Sequence, residues 1–404
     1  MKVMLKLFLM ASLFTPLLTG CWDRTEVNDL ALVTGAAIDK YDDKSIELTI
    51  QIFVPRSPGG GGGGLESSNK GGSIQNSLVK SAVGVDIADA VSKIQEKMPR
   101  KIFWGHTEII IFGEAVARQG VRDEVDYLMR APQPRERAFM YICKGSAREI
   151  LEMNTRLERN SSEIMREIAK SKIILSVTLA DLAHMLVKQS GAAALPFIEL
   201  LGANTPRNHD DTGSFTNYTA VFKDDKMVGT IDDPTTRGLL WLRDEIKTAV
   251  VTVTPEGVSG HVSLRLLKSE TKLQPIIENG KWRMNVWIHT EDDALQNTTS
   301  LDLASDQQAV KRVEAAMNDD IEERVAVALR KVQQGFKADI FDFAGEFHRA
   351  YPKEWRQNQK LWNEIFPNVE VTVQSDARML RPGLSSIKSS RSQEENDKEE
   401  EYIQ

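Results

Sequence analysis

The cleanest alternation in the chain falls at residues 46–54, where Ile46, Leu48, Ile50, Ile52 and Val54 take turns with Glu47, Thr49 and Gln51. A period of two belongs to a strand with one buried face, and Pro55 ends it. Pro58 then leads into Gly59 through Gly64 and a polar continuation to Gly72, a stretch with nothing to bury that reads as a flexible loop. The period changes after Asp86: Ile87, Val91, Ile94 and Met98 stand at helical spacing, with Pro99 as the stop. Apolar runs at 107–112 and 138–142 predict strands, and residues 121–129, 147–153 and 162–170 predict helices. Over 176–188, Leu179, Leu182 and Leu186 form one stripe, with Gly191 near its end.

Between Gly202 and Gly213 the chain turns polar through Asn204, Pro206, Asn208, Asp210 and Asp211, which predicts the principal domain boundary. Strands are expected at 218–222, 226–231, 247–254, 260–268 and 281–289, bounded by turn residues such as Asp224-Asp225 and Asn279-Gly280. That spacing predicts an antiparallel sheet with meander-like connections. A long helix follows, with Ser305 and Gln308 in a capping-box spacing and a stripe through Val310, Val313, Met317, Ile321, Val325, Leu329, Val332 and Phe336. It is long enough to cover one face of the sheet. Pro352 opens another helix, carrying Trp355 and Trp362 two turns apart, and Pro367 stops it. Val369, Val371 and Val373 alternate as a last strand, and from Ser385 the chain becomes serine-rich and then acidic, a composition that predicts disorder. The fold class is therefore α+β and multi-domain: an N-terminal α+β region at 21–203, divisible into two and carrying the loop at 58–72, a C-terminal α+β domain at 213–383, and a tail at 384–404.

The beginning of the chain changes this picture. Lys2 and Lys6 precede an apolar run at 7–18, too short to span a bilayer, and Leu18-Thr19-Gly20 lead directly into Cys21. Small residues placed before a cysteine resemble the lipobox of bacterial lipoproteins, in which the thiol receives diacylglycerol and cleavage makes Cys21 the new N-terminus. Residues 1–20 are then a signal peptide, and Cys21 is the lipid attachment site, N-palmitoylated and S-diacylglycerylated. Losing Lys2 and Lys6 and no acid takes the net charge from −7 to −9, which offers no basic stripe for nucleic acid. With 41% hydrophobic and 27% charged residues and a mean hydropathy of −0.32, the remainder reads as globular. With Cys21 acylated, Cys143 has no partner for a disulfide, and its apolar setting predicts a buried, inert thiol.

Several blocks resemble one family in order along almost the whole chain. Gly20-Cys21-Trp22-Asp23-Arg24 with Glu26, Asn28-Asp29-Leu30-Ala31 and Gly35 through Ile38-Asp39 is similar to the start of the Ger(x)C family, the lipoprotein C subunits of spore germinant receptors. The similarity continues through Trp104-Gly105-His106-Thr107-Glu108, Ile110-Ile111-Phe112-Gly113 and Thr236-Arg237-Gly238-Leu239-Leu240-Trp241. It closes with Asp339-Ile340-Phe341, His348-Arg349, Tyr351-Pro352, Trp355, Trp362 and Phe366-Pro367. Ala37, Asp342 and Ala344 depart from the pattern, standing where the family often has glycine. The resemblance implies mixed α/β domains, described as three, and action beside a multi-pass A subunit and a permease-like B subunit at the spore's inner membrane. It carries over no catalytic residues.

The residues themselves add little chemistry. The six histidines, at 106, 184, 209, 261, 289 and 348, form no metal-ligand spacing. Six consecutive glycines without a helix directly behind them make no phosphate cradle. Ser77-Leu78-Val79-Lys80 matches SxxK without the companion motifs of penicillin-binding enzymes. His106 with Glu108 reads as a capped strand end or an interface contact. Glu108, Asp339 and Glu346 are carboxylates without a recognisable partner, and Trp355 and Trp362 read as core more than as interface anchors. The expected function is a lipid-anchored, non-catalytic receptor subunit on the outer membrane face, with no cofactor or metal. A solute-binding lipoprotein of a transporter and a cell-wall hydrolase are the alternatives, the first needing two similar lobes and the second convergent carboxylates or a Ser or Cys site.

Overall fold

The computed structural model describes residues 29–54, 77–153, 158–200 and 215–381. The leader, Cys21, the glycine-rich loop, the boundary at 202–213 and the tail at 384–404 lie outside the described residues.

The first sheet has nine strands: β1 (Leu30–Lys40), β2 (Ile46–Phe53), β3 (Ser77–Gly84), β4 (Lys101–Phe103), β5 (Ile109–Gly113), β6 (Phe139–Cys143), β7 (Ala192–Leu200), β8 (Phe215–Lys223) and β9 (Lys226–Ile231). Their order is β3-β2-β1-β5-β6-β7-β8-β9, with β4 beside the start of β1. From β1 through β5 and β6 to β7 the pairing is parallel, and β2–β3 and β8–β9 flank that centre as antiparallel ribbons. Parallel strands need both faces covered, which is why Ile109-Ile110-Ile111-Phe112 is apolar without alternation and wholly buried. One face is covered by α4 (Ala147–Glu152) and α5 (Ser161–Ser171), through Ile150, Leu151, Met165 and Ala169. The other packs against α1 (Ile87–Gln95), α2 (Glu114–Gln119), α3 (Arg122–Arg130), α6 (Leu179–Val187) and α7 (Asp233–Leu242).

The second sheet joins β10 (Val250–Val253), β11 (Val262–Glu278), β12 (Lys281–Asn297) and β13 (Glu370–Arg381) in that order. The α+β class and the covering helix are as expected, with two corrections. The strands expected at 218–222 and 226–231 belong to the first sheet, because β8 pairs residue by residue with β7 from Ala192↔Lys223 to Leu200↔Phe215. And the second sheet is mixed: β13 lies parallel to β12, since the chain between them passes through a helical crossover instead of a hairpin. The Asn279-Gly280 turn does close a hairpin, both residues having positive φ, at 52° and 77°, as a two-residue turn of this kind demands. Pro275 is tolerated inside β11 because β10 pairs only with Val262–Arg265, leaving the edge at Pro275 without a ladder to break.

The crossover begins with α8 (Gln307–Ala328), whose buried Val313, Met317, Ile321 and Val325 reproduce the stripe read from the sequence, and continues as a π-helical turn over Leu329–Phe336. Its cap is Asp306, whose carboxylate accepts from Gln308 N, and Ser305 instead bonds Asp302. Three polar residues of α8 close the free edge of β13: Glu314 Oε1 accepts from Met379 N at 3.1 Å, Asn318 Oδ1 from Ala377 N at 2.8 Å and Glu322 Oε1 from Ser375 N at 3.1 Å. Four residues of helix rise about 6 Å and two of strand about 6.6 Å, so the two ladders match. An edge that would otherwise pair with another chain is thereby covered. The remaining helices are α9 (Phe343–Ala350), α10 (Pro352–Asn358) and α11 (Trp362–Ile365).

Helices α7 and α8 cross without side-chain clearance. A Cβ on Gly238 would lie 2.2 Å from Arg324 O and 2.8 Å from Ala328 Cβ. Gly238→Ala is expected to lower stability by about 1–3 kcal/mol through overpacking, despite a helix-propensity gain of about 1 kcal/mol. Gly335→Ala is the control, because its nearest atom, Arg330 O, stands at 3.8 Å, and it should be neutral or stabilising. Denaturant unfolding of the two variants side by side checks both signs.

Candidate functional site

Asp339 is the most enclosed of the carboxylates that stood out in the sequence, with only 2% of its surface exposed. It lies between the π-helical turn and α9, where its Oδ1 accepts from Phe343 N at 3.0 Å and its Oδ2 from Ala344 N at 2.8 Å, so it serves the open N–H groups of α9. Trp362 Nε1 donates to the same carboxylate at 3.1 Å. Around it Trp362 stacks with Trp355 at 5.2 Å, Phe347 at 5.7 Å and Trp282 at 5.9 Å between ring centroids. Trp355 and Trp362 are thus core residues, as the sequence favoured, and α9 through α11 are folded around one buried acid. Burial pushes the Asp339 carboxyl up from the ordinary 3.8 to about 7, against the pull of its three donors.

Asp339 also borders a cleft of about 240 Å³ between the layers, which Lys188, Arg243, Glu245, Asp342 and Glu346 help to line. Lys188 Nζ meets Asp342 Oδ2 at 2.9 Å and Arg243 meets Glu245 at 2.7 Å, so the charges there are largely spent on one another. Asp342 holds φ at 66°, the left-handed conformation that explains why glycine suits this position; aspartate is among the few other residues that adopt it readily. Glu346 pairs with Arg349 on its own helix. Ser190 and Thr271 bring hydroxyls to the lining, and that of Thr271 donates to Trp241 O at 2.7 Å.

The other candidates are held apart. Glu108 is engaged by Arg166 of α5, whose guanidinium also reaches Glu167 at 2.7 Å, while His106 is exposed and tilted 6.2 Å from the Phe103 ring. Ser77 and Lys80 lie on β3, where residues three apart point to opposite faces, so the SxxK pattern brings nothing together. Cys143 is fully buried, and burial pushes its thiol far above the ordinary range. Among the described residues no cluster of three or more His, Cys, Asp or Glu could hold a metal ion. Cys21 lies outside the described residues.

Two polar centres escaped the sequence. Asp39, at the end of β1, caps α4 from more than a hundred residues away, accepting from Ala147 N at 2.8 Å, Arg148 N at 2.9 Å and Ser146 Oγ at 3.1 Å. Gln51 is fully buried and binds Leu151 O at 2.8 Å, Ser161 Oγ at 3.0 Å and Ser162 Oγ at 2.6 Å. In the sequence Gln51 is the polar partner in an alternating strand, and only the helices placed on that face make it interior. Asp292, also buried, keeps one oxygen without a partner, and burial pushes its carboxyl up to about 6.

In this α+β body of two sheets the buried polar groups Asp39, Gln51 and Asp339 serve as caps and struts. Comparison with known proteins gives that body a family. The model described as spore germination protein N-terminal domain matches residues 23–200, and that described as spore germination B3/GerAC-like, C-terminal, matches residues 217–383. The chain belongs to the GerAC-like family of spore germination proteins. It is 29% identical over 365 residues to putative spore germination protein YfkR of Bacillus subtilis (strain 168), covering 88% of this chain and 91% of that one. With spore germination protein KC of the same organism it shares 25% over 386 residues, 91% of this chain and 93% of the other. The crystal structure of the GerBC protein superposes with a TM-score of 0.56 at 20% identity, over 86% of this chain and 97% of that one, which establishes the shared fold.

Asp292 and Asp339 bind more protons folded than unfolded between roughly pH 4 and pH 7. Their contribution to stability is fully present below the unfolded value of 3.8 and is lost as pH rises through about 6 and about 7. The urea midpoint is therefore expected to be higher near about pH 5.5 than near about pH 8. Asp292→Asn should flatten this slope. Asp339→Asn should flatten it too and cost about 1–3 kcal/mol, since an amide offers one acceptor oxygen to three donors. A midpoint that does not change with pH would remove both assignments.

Proposed function

We propose that this protein is a lipid-anchored, non-catalytic subunit of a nutrient germinant receptor, held on the outer face of the spore inner membrane beside a multi-pass A subunit and a permease-like B subunit. The observation that carries the reading is one of order along the chain: Leu18-Thr19-Gly20-Cys21 stands immediately before the two matched germination domains, which together fill residues 23–200 and 217–383. The two acyl chains of the diacylglycerol alone, of about 15 methylenes each at about 0.8 kcal/mol per methylene, give on the order of 20 kcal/mol of gross anchoring. No helix among the described residues is long and apolar enough to cross a membrane. Restriction to one surface raises the effective concentration next to membrane partners far above that of a free protein. The charges of the cleft beside Asp339 pair with one another, Lys188 with Asp342 and Arg243 with Glu245, which suits a role by assembly, with germinant recognition falling chiefly to the permease-like partner.

Cys21→Ala is expected to leave an unprocessed precursor, to abolish incorporation of labelled palmitate and to lower nutrient-triggered germination by at least about tenfold. Normal processing with full germination in that variant, or turnover of a substrate by the purified body, would count against the reading.

A further inference from the structure

Because β1, β5 and β6 run parallel, the segments that enter them gather at one end of the first sheet. Leu30 pairs with Lys101 of β4, the 104–108 turn leads into β5, and residues 131–138 lead into β6. Trp104 N donates to Gln133 Oε1 at 3.4 Å and ties two of these segments together. At this end a cleft of about 530 Å³ opens between α1 and α3, walled by Val91, Ile102, Trp104, Tyr127 and Leu128. Its size lies in the range of sites that take up small organic molecules.

The rim of the cleft is basic. Of the charged residues, Lys101 and Glu96 line the cleft itself; Lys97 and Arg100 adjoin them along the chain, Arg135 and Arg137 follow the lining Pro134, and among the described residues none of these five bases makes an ion pair, whereas nearby Lys93 and Arg130 are paired to Asp89 and Asp126. Glu96 and Glu136 lie among them, so the rim is net positive on a chain whose total is −7. Unpaired like charges gathered on an acidic protein repel one another and gain when an anionic surface meets them.

We propose that this end of the sheet docks on an anionic lipid surface, with headgroup phosphates against the basic rim and the cleft receiving the apolar part of a lipid at the interface. The position in the chain argues for lipid as the occupant. Nine residue steps lead from Cys21 to Leu30 and span at most about 32 Å when fully extended. An acylated Cys21 therefore keeps this end within that distance of the bilayer, and the docking fixes which way the body faces. The inference rests on the anchor proposed above for its geometry, but the surface itself can be tested without the anchor.

The chain from residue 21 carrying Cys21→Ser, and so unacylated, is floated with phosphatidylcholine vesicles with and without phosphatidylglycerol. Binding is expected only with phosphatidylglycerol, and should fade as salt rises toward about 0.5 M. Replacing Lys97, Arg100 and Arg137 together by Glu should weaken it by at least about tenfold, with an unchanged unfolding midpoint because all three side chains face solvent. No binding, equal binding to neutral vesicles, an unaffected triple variant, or binding to native membranes but not to protein-free vesicles would each overturn the proposal, the last by assigning the rim to a protein. Palmitate labelling of the full chain reports separately on the anchor, whatever the vesicles show.

Discussion

The crossing of α7 and α8 at Gly238 holds the two sheets in one arrangement. Helix α7 is fastened to the first sheet, where Thr236 Oγ1 and Thr219 Oγ1 of β8 lie 2.9 Å apart in the interior. Helix α8 is fastened to the second, through the three side chains that close the edge of β13. Between them backbone meets backbone, because the only hydrogen-sized side chain of the genetic code occupies the point of contact. Gly229 repeats the device on β9, where a Cβ would lie 2.3 Å from the Phe336 ring at the end of the π-helical turn. One apolar cluster accordingly runs from Ala31 in the first sheet to Met379 in the second. Interiors packed this closely are bistable at most and do not bend gradually.

The buried polar groups act in the same direction as the packing. Asp39 and Asp339 each satisfy the open N–H groups of a helix, and Gln51 joins β2 to the α4–α5 pair. Such contacts have fixed geometry, so they select one placement of helix on sheet where apolar contact alone would tolerate several. They carry a cost, visible in the carboxyl of Asp339, which burial brings to about 7 although three donors favour its charged form.

What could be read in the sequence was whatever depends on neighbours in the chain. The alternation at 46–54, the stripe of α8, the Asn279-Gly280 turn and the core position of Trp355 and Trp362 all follow from local periodicity or turn chemistry. What escaped depends on partners distant in sequence. β8 and β9 look like the opening strands of the second sheet until β7 claims them, and β13 looks like a continued meander until the helical crossover reverses its sense. β11 runs on to Glu278 and β12 to Asn297, beyond the strands read at 260–268 and 281–289, and residues 269–278 are mostly half-exposed and keep only a weak alternation. Asp39 and Gln51 are ordinary polar positions of a strand until helices from a hundred residues away settle on them. The resemblance supplied what periodicity could not: its blocks at Gly35 to Asp39, Thr236 to Trp241 and Asp339 to Phe341 are the places where backbones approach closely or a carboxylate caps a helix.

A body locked in this way limits how it can serve a receptor. Through the α7–α8 crossing and a continuous core, the end where β1 begins and the edge ladder of β13 belong to one packed body. A hinge would need a weak interface between the sheets, and the cleft beside Asp339, the natural place for one, is spanned by Lys188–Asp342 and flanked by Arg243–Glu245. If the chain is tethered as proposed above, a signal would pass through it as a change in its pose against the membrane and its partners. Under that proposal, orientation against the bilayer would be the variable through which such a subunit acts.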